Sequence, residues 1–332
     1  MTRRIFLAGH RGMVGRAIGR RLRVLEPDVT VLRRTRTELD LREQADVRAF
    51  FKDKRPDVVI LAAARVGGIQ ANATNPAQFI YDNLAVQTTV IHSAYEVGVS
   101  QLLFLGSSCV YPKLAEQPIR ENALLTGPLE GTNEPYAIAK IAGLKMCEYY
   151  NAEYGTDFRC VMPSNLYGPY DNFDLETSHV LPALLRKFHE AKLRGSPEVQ
   201  IWGSGTPQRE FTHVDDMADA SLHVMNLASS VYRDVTTQNG ACHVNVGTGE
   251  EVSIMELAKL IASAVGYEGN LSFDRSRPDG TPRKVMDVSI LKSLGWRPEF
   301  SLEDGIKDTY CWFEKFSHQM NLELMPDFSV RQ

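Results

Sequence analysis

Long apolar runs are absent from this sequence. None approaches the ~20 residues that a membrane-spanning helix needs. The N-terminal Ile5-Phe6-Leu7-Ala8 is too short for the apolar part of a secretory signal and runs straight into glycines. Cysteine is sparse too: Cys109, Cys147, Cys160, Cys242 and Cys311 are odd in number, scattered, and without a C-x-x-C spacing. This excludes a disulfide framework or a cysteine zinc site, so no metal is expected, and it is the usage expected in a reducing cytoplasm. Neither sign of charge dominates. The net charge is −4, which argues against a nucleic-acid backbone or an anionic membrane as partner. Internal repeats and low-complexity linkers are also missing. What is present is an ordinary globular composition, 43% hydrophobic and 23% charged over 332 residues, enough for one large core or two smaller ones.

The first half alternates. Arg4-Ile5-Phe6-Leu7-Ala8 leads into Gly9-His10-Arg11-Gly12-Met13-Val14-Gly15, then into a helical pattern through Ile18, Leu22 and Leu25. Strand, glycine turn and helix in that order let backbone approach a pyrophosphate at a helix N-terminus, where unpaired N–H groups and the dipole favour anions. The spacing is Gly-x-x-Gly-x-x-Gly rather than the commoner G-x-G-x-x-G. Val29–Leu32 predicts the second strand, followed by Arg33-Arg34-Thr35-Arg36 where an NAD-binding fold places an acid. Guanidinium groups suit a 2′-phosphate, which favours NADP over NAD; a solvated basic run is the other reading of the same residues. Asp57–Ala63 is an apolar strand, Pro76 opens a long helix that Gly98 ends, and Leu102–Leu105 is the next strand. The carboxyl end of that strand carries Gly106-Ser107-Ser108-Cys109, where ligands sit in open α/β sheets. The expected fold is α/β, a doubly wound parallel sheet of Rossmann type.

Residues 113–135 predict a loop. Tyr136 and Lys140 then stand one turn apart on a helix. A phenol titrates near ~10, and an ammonium close by favours the phenolate and lowers that value. The pair is matched to a carbonyl oxygen, and Ser107 supplies a second hydroxyl. Asp157–Met162 is another strand, ending at Pro163-Ser164-Asn165-Leu166. Beyond Pro169 the alternation breaks. A polar loop, a helix around Val180–Ala191 and a short strand Val199–Trp202 precede Arg209–Asp216, which runs into a helix through Val224. His243–Val246 predicts a strand returning to the main sheet; Ser253–Glu256 is a capping box, and Ser301–Asp304 caps the last helix. The expected division is a dinucleotide-binding domain of residues 1–169, rejoined by about 212–248, and a smaller mixed α/β domain of 170–211 and 249–320. Residues after Met320 are expected to be weakly structured.

Several stretches together resemble the extended short-chain dehydrogenase/reductase family: Ala8–Gly15, Leu61–Ile69, Gly106–Lys113, Asn133–Lys140, Asn165–Pro169, Ser178-His179-Val180, Trp202–Pro207 and Pro278–Lys284. Within it they are closest to the branch of bifunctional enzymes acting on GDP-4-keto-6-deoxy-D-mannose. That resemblance implies epimerisation at C3 and C5, then NADPH-dependent reduction of the C4 ketone to GDP-L-fucose. It implies Tyr136 as proton donor to the C4 oxygen, Ser107 as a second donor, and Lys140 as the group that tunes Tyr136 and binds the nicotinamide ribose. Cys109 is implied as the base and His179 as the acid of epimerisation; thiols near ~8.5 and imidazoles near ~6.5 both exchange protons around neutrality. The NADP(H) site would use Gly9, His10, Arg11, Gly12, Met13, Val14 and Gly15, then Arg36, Asp40 and Leu41. Leu105, Gly106, Ser107, Ser108, Lys140, Pro163, Ser164, Asn165, Leu166 and His179 would complete it. Asp40 stands where the resemblance implies an asparagine, and either can accept a hydrogen bond near the adenine. The GDP-sugar site would use Lys187, Trp202, Arg209 and Asp279, with Trp202 as plain core the competing reading. The resemblance also implies a cytoplasmic homodimer formed through the helices near 84–97 and 140–153. The alternatives are another nucleotide-sugar epimerase or dehydratase of the superfamily, which keeps NAD and favours an acid at position 36, and a non-catalytic NADP-binding sensor.

Overall fold

In the computed structural model, which describes residues 2–175, 177–276 and 279–320, the apolar runs of the first half become parallel strands. They are β1 (Arg4–Ala8), β2 (Thr30–Leu32), β3 (Val58–Leu61), β4 (Gln101–Leu105) and β5 (Phe158–Pro163). Next come β6 (Asn165–Tyr167), β7 (Glu198–Trp202), β8 (Gln208–His213) and β9 (Val244–Val246). Last are β10 (Glu251–Ser253), β11 (Asn270–Asp274) and β12 (Arg283–Lys284). The main sheet is β2-β1-β3-β4-β5-β9, parallel throughout. The order reverses between β1 and β3, the switch point at whose carboxyl ends ligands bind. A second sheet has β10-β8-β12 with β6 alongside β8, and β11 pairs with β7.

Helices cover both faces of the main sheet, which is why its inner strands read as unbroken apolar runs. Strand side chains alternate. Phe6, Val59 and Leu61 enter one core with Val90 and Ile91 of α4 and Leu144 of α5; Ile5, Leu7 and Ile60 enter the other with Ile18 and Leu22 of α1 and Met217 of α7. Those helices are α1 (Met13–Leu25), α2 (Gln44–Lys54), α3 (Ile69–Thr74), α4 (Pro76–Glu96), α5 (Glu134–Tyr154), α6 (Val180–Arg194) and α7 (Val214–Asn226). Then follow α8 (Ser229–Gln238), α9 (Ile254–Val265), α10 (Ser289–Ser293) and α11 (Leu302–Met320). A third core joins Leu185 and Phe188 of α6, Ile201 of β7, Leu257 and Ile261 of α9 and Phe313 of α11. Local chemistry sets the ends: Pro76 occupies the first turn of α4, Gly155 closes α5 at φ 67°, and Ser253 with Glu256 forms the expected capping box on α9.

Residues 243–246 do return to the main sheet, beside β5. Residues 208–213 differ from expectation. They form β8, the axis of the second sheet, before α7 begins at Val214. Charged Arg209 and Glu210 disguised a strand whose place is fixed by partners from three distant segments. Helix α8 and the short strands β10, β11 and β12 were likewise invisible to periodicity. Residues after Met320 lie outside the described residues. Among the described residues no helix is long and apolar enough to cross a membrane.

Candidate active site

The glycine turn sits where β1 ends at the switch point. Gly9 has φ +85°, and a Cβ there would lie 2.6 Å from the Ala63 amide nitrogen after β3. A Cβ on Gly15 would lie 2.1 Å from the Gly9 carbonyl oxygen. Backbone is therefore packed against backbone, and only glycine permits it. Gly12 caps α1 in an extended conformation with no side-chain cap bond, so the first amides of the helix face outward as an anion site requires. Met13 and Val14 anchor the turn in the core. Among the described residues, His10 Nδ1 is buried without a hydrogen-bond partner. Burial and then the Arg11 and Arg33 guanidinium groups push that imidazole below its usual range. Arg36 lies 3.6 Å from Asp40, and Arg42 grips Asp40 at 2.7 and 3.0 Å, holding its carboxyl down at about 2. Asp40 is thus an orienting partner of Arg36, and Leu41 packs on the core beside it. The turn and the basic residues after β2 suit a phosphorylated dinucleotide.

The carboxyl end of β4 is the centre of the site. Leu105 accepts a 2.8 Å hydrogen bond from Lys140 Nζ, which fixes α5 against the strand. The Gly106 amide donates to Val161 of β5, Ser108 is buried, and Ser107 precedes the turn that holds Cys109. The Ser107 hydroxyl lies close to both the Tyr136 phenol and the Cys109 thiol and favours the ionised form of each. Tyr136 and Cys109 thus come from different elements to the same hydroxyl. The Tyr136 ring is held edge-on by Phe79, centroids 6.4 Å apart. Lys140 does not tune the phenol as expected. Its ammonium lies 4.8 Å from the Phe104 ring centroid and 5.9 Å from that of Tyr136. Burial, then Cys109, pushes the phenol well above its usual range, against the pull of the nearby Ser107 hydroxyl. Burial outweighs a cation directed at the Leu105 carbonyl. The phenol therefore keeps its proton, and burial brings Lys140 itself down to about 8.

His179 is the N-cap of α6. The residue is exposed to solvent. Burial and then Lys284 push its imidazole down, while burial pushes the Cys109 thiol up against Lys284, Ser107 and Lys140. At rest the proton sits on sulfur and the imidazole is neutral. Lys284 of β12 carries no motif of its own that assigns it a role. Its charge reaches Cys109, His179 and Arg209 alike, and burial lowers it. It lies in one of the family-like stretches, but strand pairing alone brings it here.

The substrate candidates form a continuous line. Lys187 Nζ lies 4.5 Å above the Trp202 ring, which is 53% exposed and so is not plain core. Two residues on, the Ser204 amide donates to Asp279 Oδ1 at 2.8 Å, and Asp279 faces Arg209. Arg209 pairs in register with Lys284. Pro163 ends β5; beyond it Ser164 bonds Thr212 at 2.6 Å and Asn165 Nδ2 donates to the Glu210 carbonyl at 2.8 Å. Leu166 packs on the core. This segment stitches the main sheet to β8. The geometry offers two hydroxyl donors for a carbonyl oxygen, a thiol beside them, an imidazole that shares the Lys284 charge with that thiol, and cations for a diphosphate.

Residues 5–247 match the model of the NAD dependent epimerase/dehydratase family. The chain is 59% identical over 310 residues to GDP-L-fucose synthase of Escherichia coli (strain K12), covering 93% of this chain and 96% of that protein. It is 57% identical over 312 residues to GDP-L-fucose synthase 1 of Arabidopsis thaliana, covering 94% and 93%. The crystal structure of a GDP-L-fucose synthetase from Naegleria fowleri bound to NADP superposes with a TM-score of 0.82 at 27% identity, covering 96% of this chain and 97% of that one.

Proposed function

The chain belongs to the NAD dependent epimerase/dehydratase family, and we propose that it converts GDP-4-keto-6-deoxy-D-mannose to GDP-L-fucose by epimerising C3 and C5 and reducing C4. The single observation that carries this reading is that the turn holding Ser107 and Cys109 packs against the helix carrying Tyr136, so that the phenol and the thiol both come close to the Ser107 hydroxyl. It brings a carbonyl-oxygen donor and a proton carrier to one point. The alternatives, an NAD-keeping epimerase or dehydratase and a sensor, are not favoured by relatives at this identity.

NADPH, when bound, supplies the hydride for C4. The backbone of Gly9–Gly15 would hold its pyrophosphate, the basic residues through Arg36 its 2′-phosphate, and Lys140 its ribose. C–H groups at C3 and C5 are acidified because they flank the ketone. Losing a proton places negative charge on the C4 oxygen, where Ser107 and Tyr136 donate hydrogen bonds. Inversion needs a base on one face and an acid on the other; Cys109 is the base and His179 the acid. Because the thiol starts protonated and the imidazole neutral, the Cys109 proton must first pass to His179, which leaves the thiolate that Lys284 favours as base and an imidazolium as acid. After both inversions, Tyr136 gives its proton to the C4 oxygen as the ketone becomes an alcohol. Lys187 and Arg209 suit the diphosphate and Trp202 offers a face to the base or sugar, with Asp279 orienting Arg209.

Five free thiols fit a cytoplasmic location. The outward side of the α4–α5 pair exposes Tyr81, Ile138 and Tyr149, which suits a homodimer formed through these helices. Monomeric sedimentation at micromolar concentration would exclude that assembly. The reaction is tested by incubating the protein with GDP-4-keto-6-deoxy-D-mannose and NADPH and identifying the product by NMR. GDP-L-fucose is expected. No loss of reduced-nicotinamide absorbance refutes the proposal, and a product with unchanged C3 and C5 reduces the enzyme to a plain ketoreductase.

A further inference from the structure

Strand β12 carries Lys284 but is only two residues long. It runs parallel to β8 with Arg283 opposite Gln208 and Lys284 opposite Arg209, so two cations stand side by side on one face. Like charges so placed repel, and so short a ladder is a weak hold. Glu210, the next residue on β8, points to the other face and is 1% exposed. Its Oε2 accepts the Met286 amide at 2.8 Å and its Oε1 accepts the Gly249 amide at 3.0 Å. Gly247 leaves the room: a Cβ there would lie 1.9 Å from Oε1. The same segment is tied to the loop that follows Cys109, since Ile119 donates to the Val285 carbonyl at 2.9 Å and accepts from the Asp287 amide at 2.8 Å. Glu210 touches no candidate reacting group itself.

We propose that Glu210 is a positioning residue for epimerisation and diphosphate binding: its buried carboxylate fastens Met286 and Gly249 to β8 and thereby sets Lys284 and Arg209 in the site. The link to epimerisation rests on the reaction proposed above; the link to the diphosphate is read by binding alone. In Glu210→Gln an NH2 group replaces one carboxylate oxygen, so one of the two amides meets a donor and loses its bond. An unsatisfied buried amide of this kind weakens what it positions by roughly tenfold. GDP affinity, by calorimetry, and solvent-deuterium exchange at C3 and C5, by NMR, should each fall by about that factor, while NADP affinity stays within about twofold. Added to Lys284→Met, the same change should lower exchange by less than about twofold, because it acts through that lysine. Glu210→Asp keeps the charge, should fall between wild type and Glu210→Gln, and carries the test if the glutamine variant does not fold. Unchanged GDP affinity in either variant, parallel loss of GDP and NADP binding, or additivity with Lys284→Met overturns the proposal. Wild-type protein that fails to turn over GDP-4-keto-6-deoxy-D-mannose overturns the proposed reaction instead, and the GDP titration still decides the role of Glu210.

Discussion

Replacing Tyr136 by phenylalanine isolates the proton donor, because the structure separates its ring from its hydroxyl. The ring is fixed by Phe79 edge-on at 6.4 Å, and phenylalanine keeps that contact. The hydroxyl lies beside Ser107, which still has Cys109 as a neighbour when the phenol is gone. Even a full hydrogen bond lost there would cost only roughly 1 kcal/mol of stability, a melting shift of no more than about 2–4 °C in a chain this long. A general acid is worth about 10²–10⁴ in rate, or roughly 3–5 kcal/mol at ~1.36 kcal/mol per decade. Chemistry should therefore suffer far more than the fold. Burial holds the phenol above its usual range, so wild type keeps this proton across the whole working pH interval. The assay is single-turnover NADPH oxidation with ketone already epimerised at C3 and C5. Hydride transfer in Tyr136→Phe should drop by about 10²–10⁴ with NADPH affinity retained. Exchange at C3 and C5 should drop less, because Ser107 still donates to the C4 oxygen. A reduction rate within threefold of wild type would falsify the assignment of Tyr136 as donor.

Other outcomes follow from the same geometry. Cys109→Ser keeps a small hydrogen-bonding group beside Ser107 but loses the proton carrier, so exchange at C3 and C5 should slow by about 10²-fold or more while the pre-epimerised ketone is reduced at nearly the normal rate; equal loss of both ends the division of labour. Lys140 is brought down to about 8 by burial, so its positive charge is present below that pH and lost as pH rises through it. The kcat/KM for reduction should accordingly fall above about pH 8, and a flat profile to pH 10 would show that the charge is not needed. Arg36→Ala should weaken NADPH more than NADH and also release Asp40 from one of its two arginine partners; an unchanged cofactor preference, from KM values for both, contradicts a 2′-phosphate contact.

Local signals made much of this protein legible. The apolar runs at 5–8, 58–61 and 102–105 become buried parallel strands because helices cover both their faces, and nothing but a turn of glycines allows Gly9 to meet Ala63. Tyr136 and Lys140 are neighbours by helical pitch, and Ser253 with Glu256 caps α9 by chemistry confined to four residues. The family, and with it the reaction, was carried by such short stretches. The tertiary structure decided what depends on distant partners. β8 is a strand because β6, β10 and β12 pair with it, although its own residues include Arg209 and Glu210. Lys284 reaches Cys109 and His179 only by that pairing. The direction in which Tyr136, Cys109 and His179 titrate was also beyond the sequence. Spacing tells which charges are near, but burial, which needs the whole fold, sets the larger cost and moved the phenol up where proximity to a lysine had suggested down.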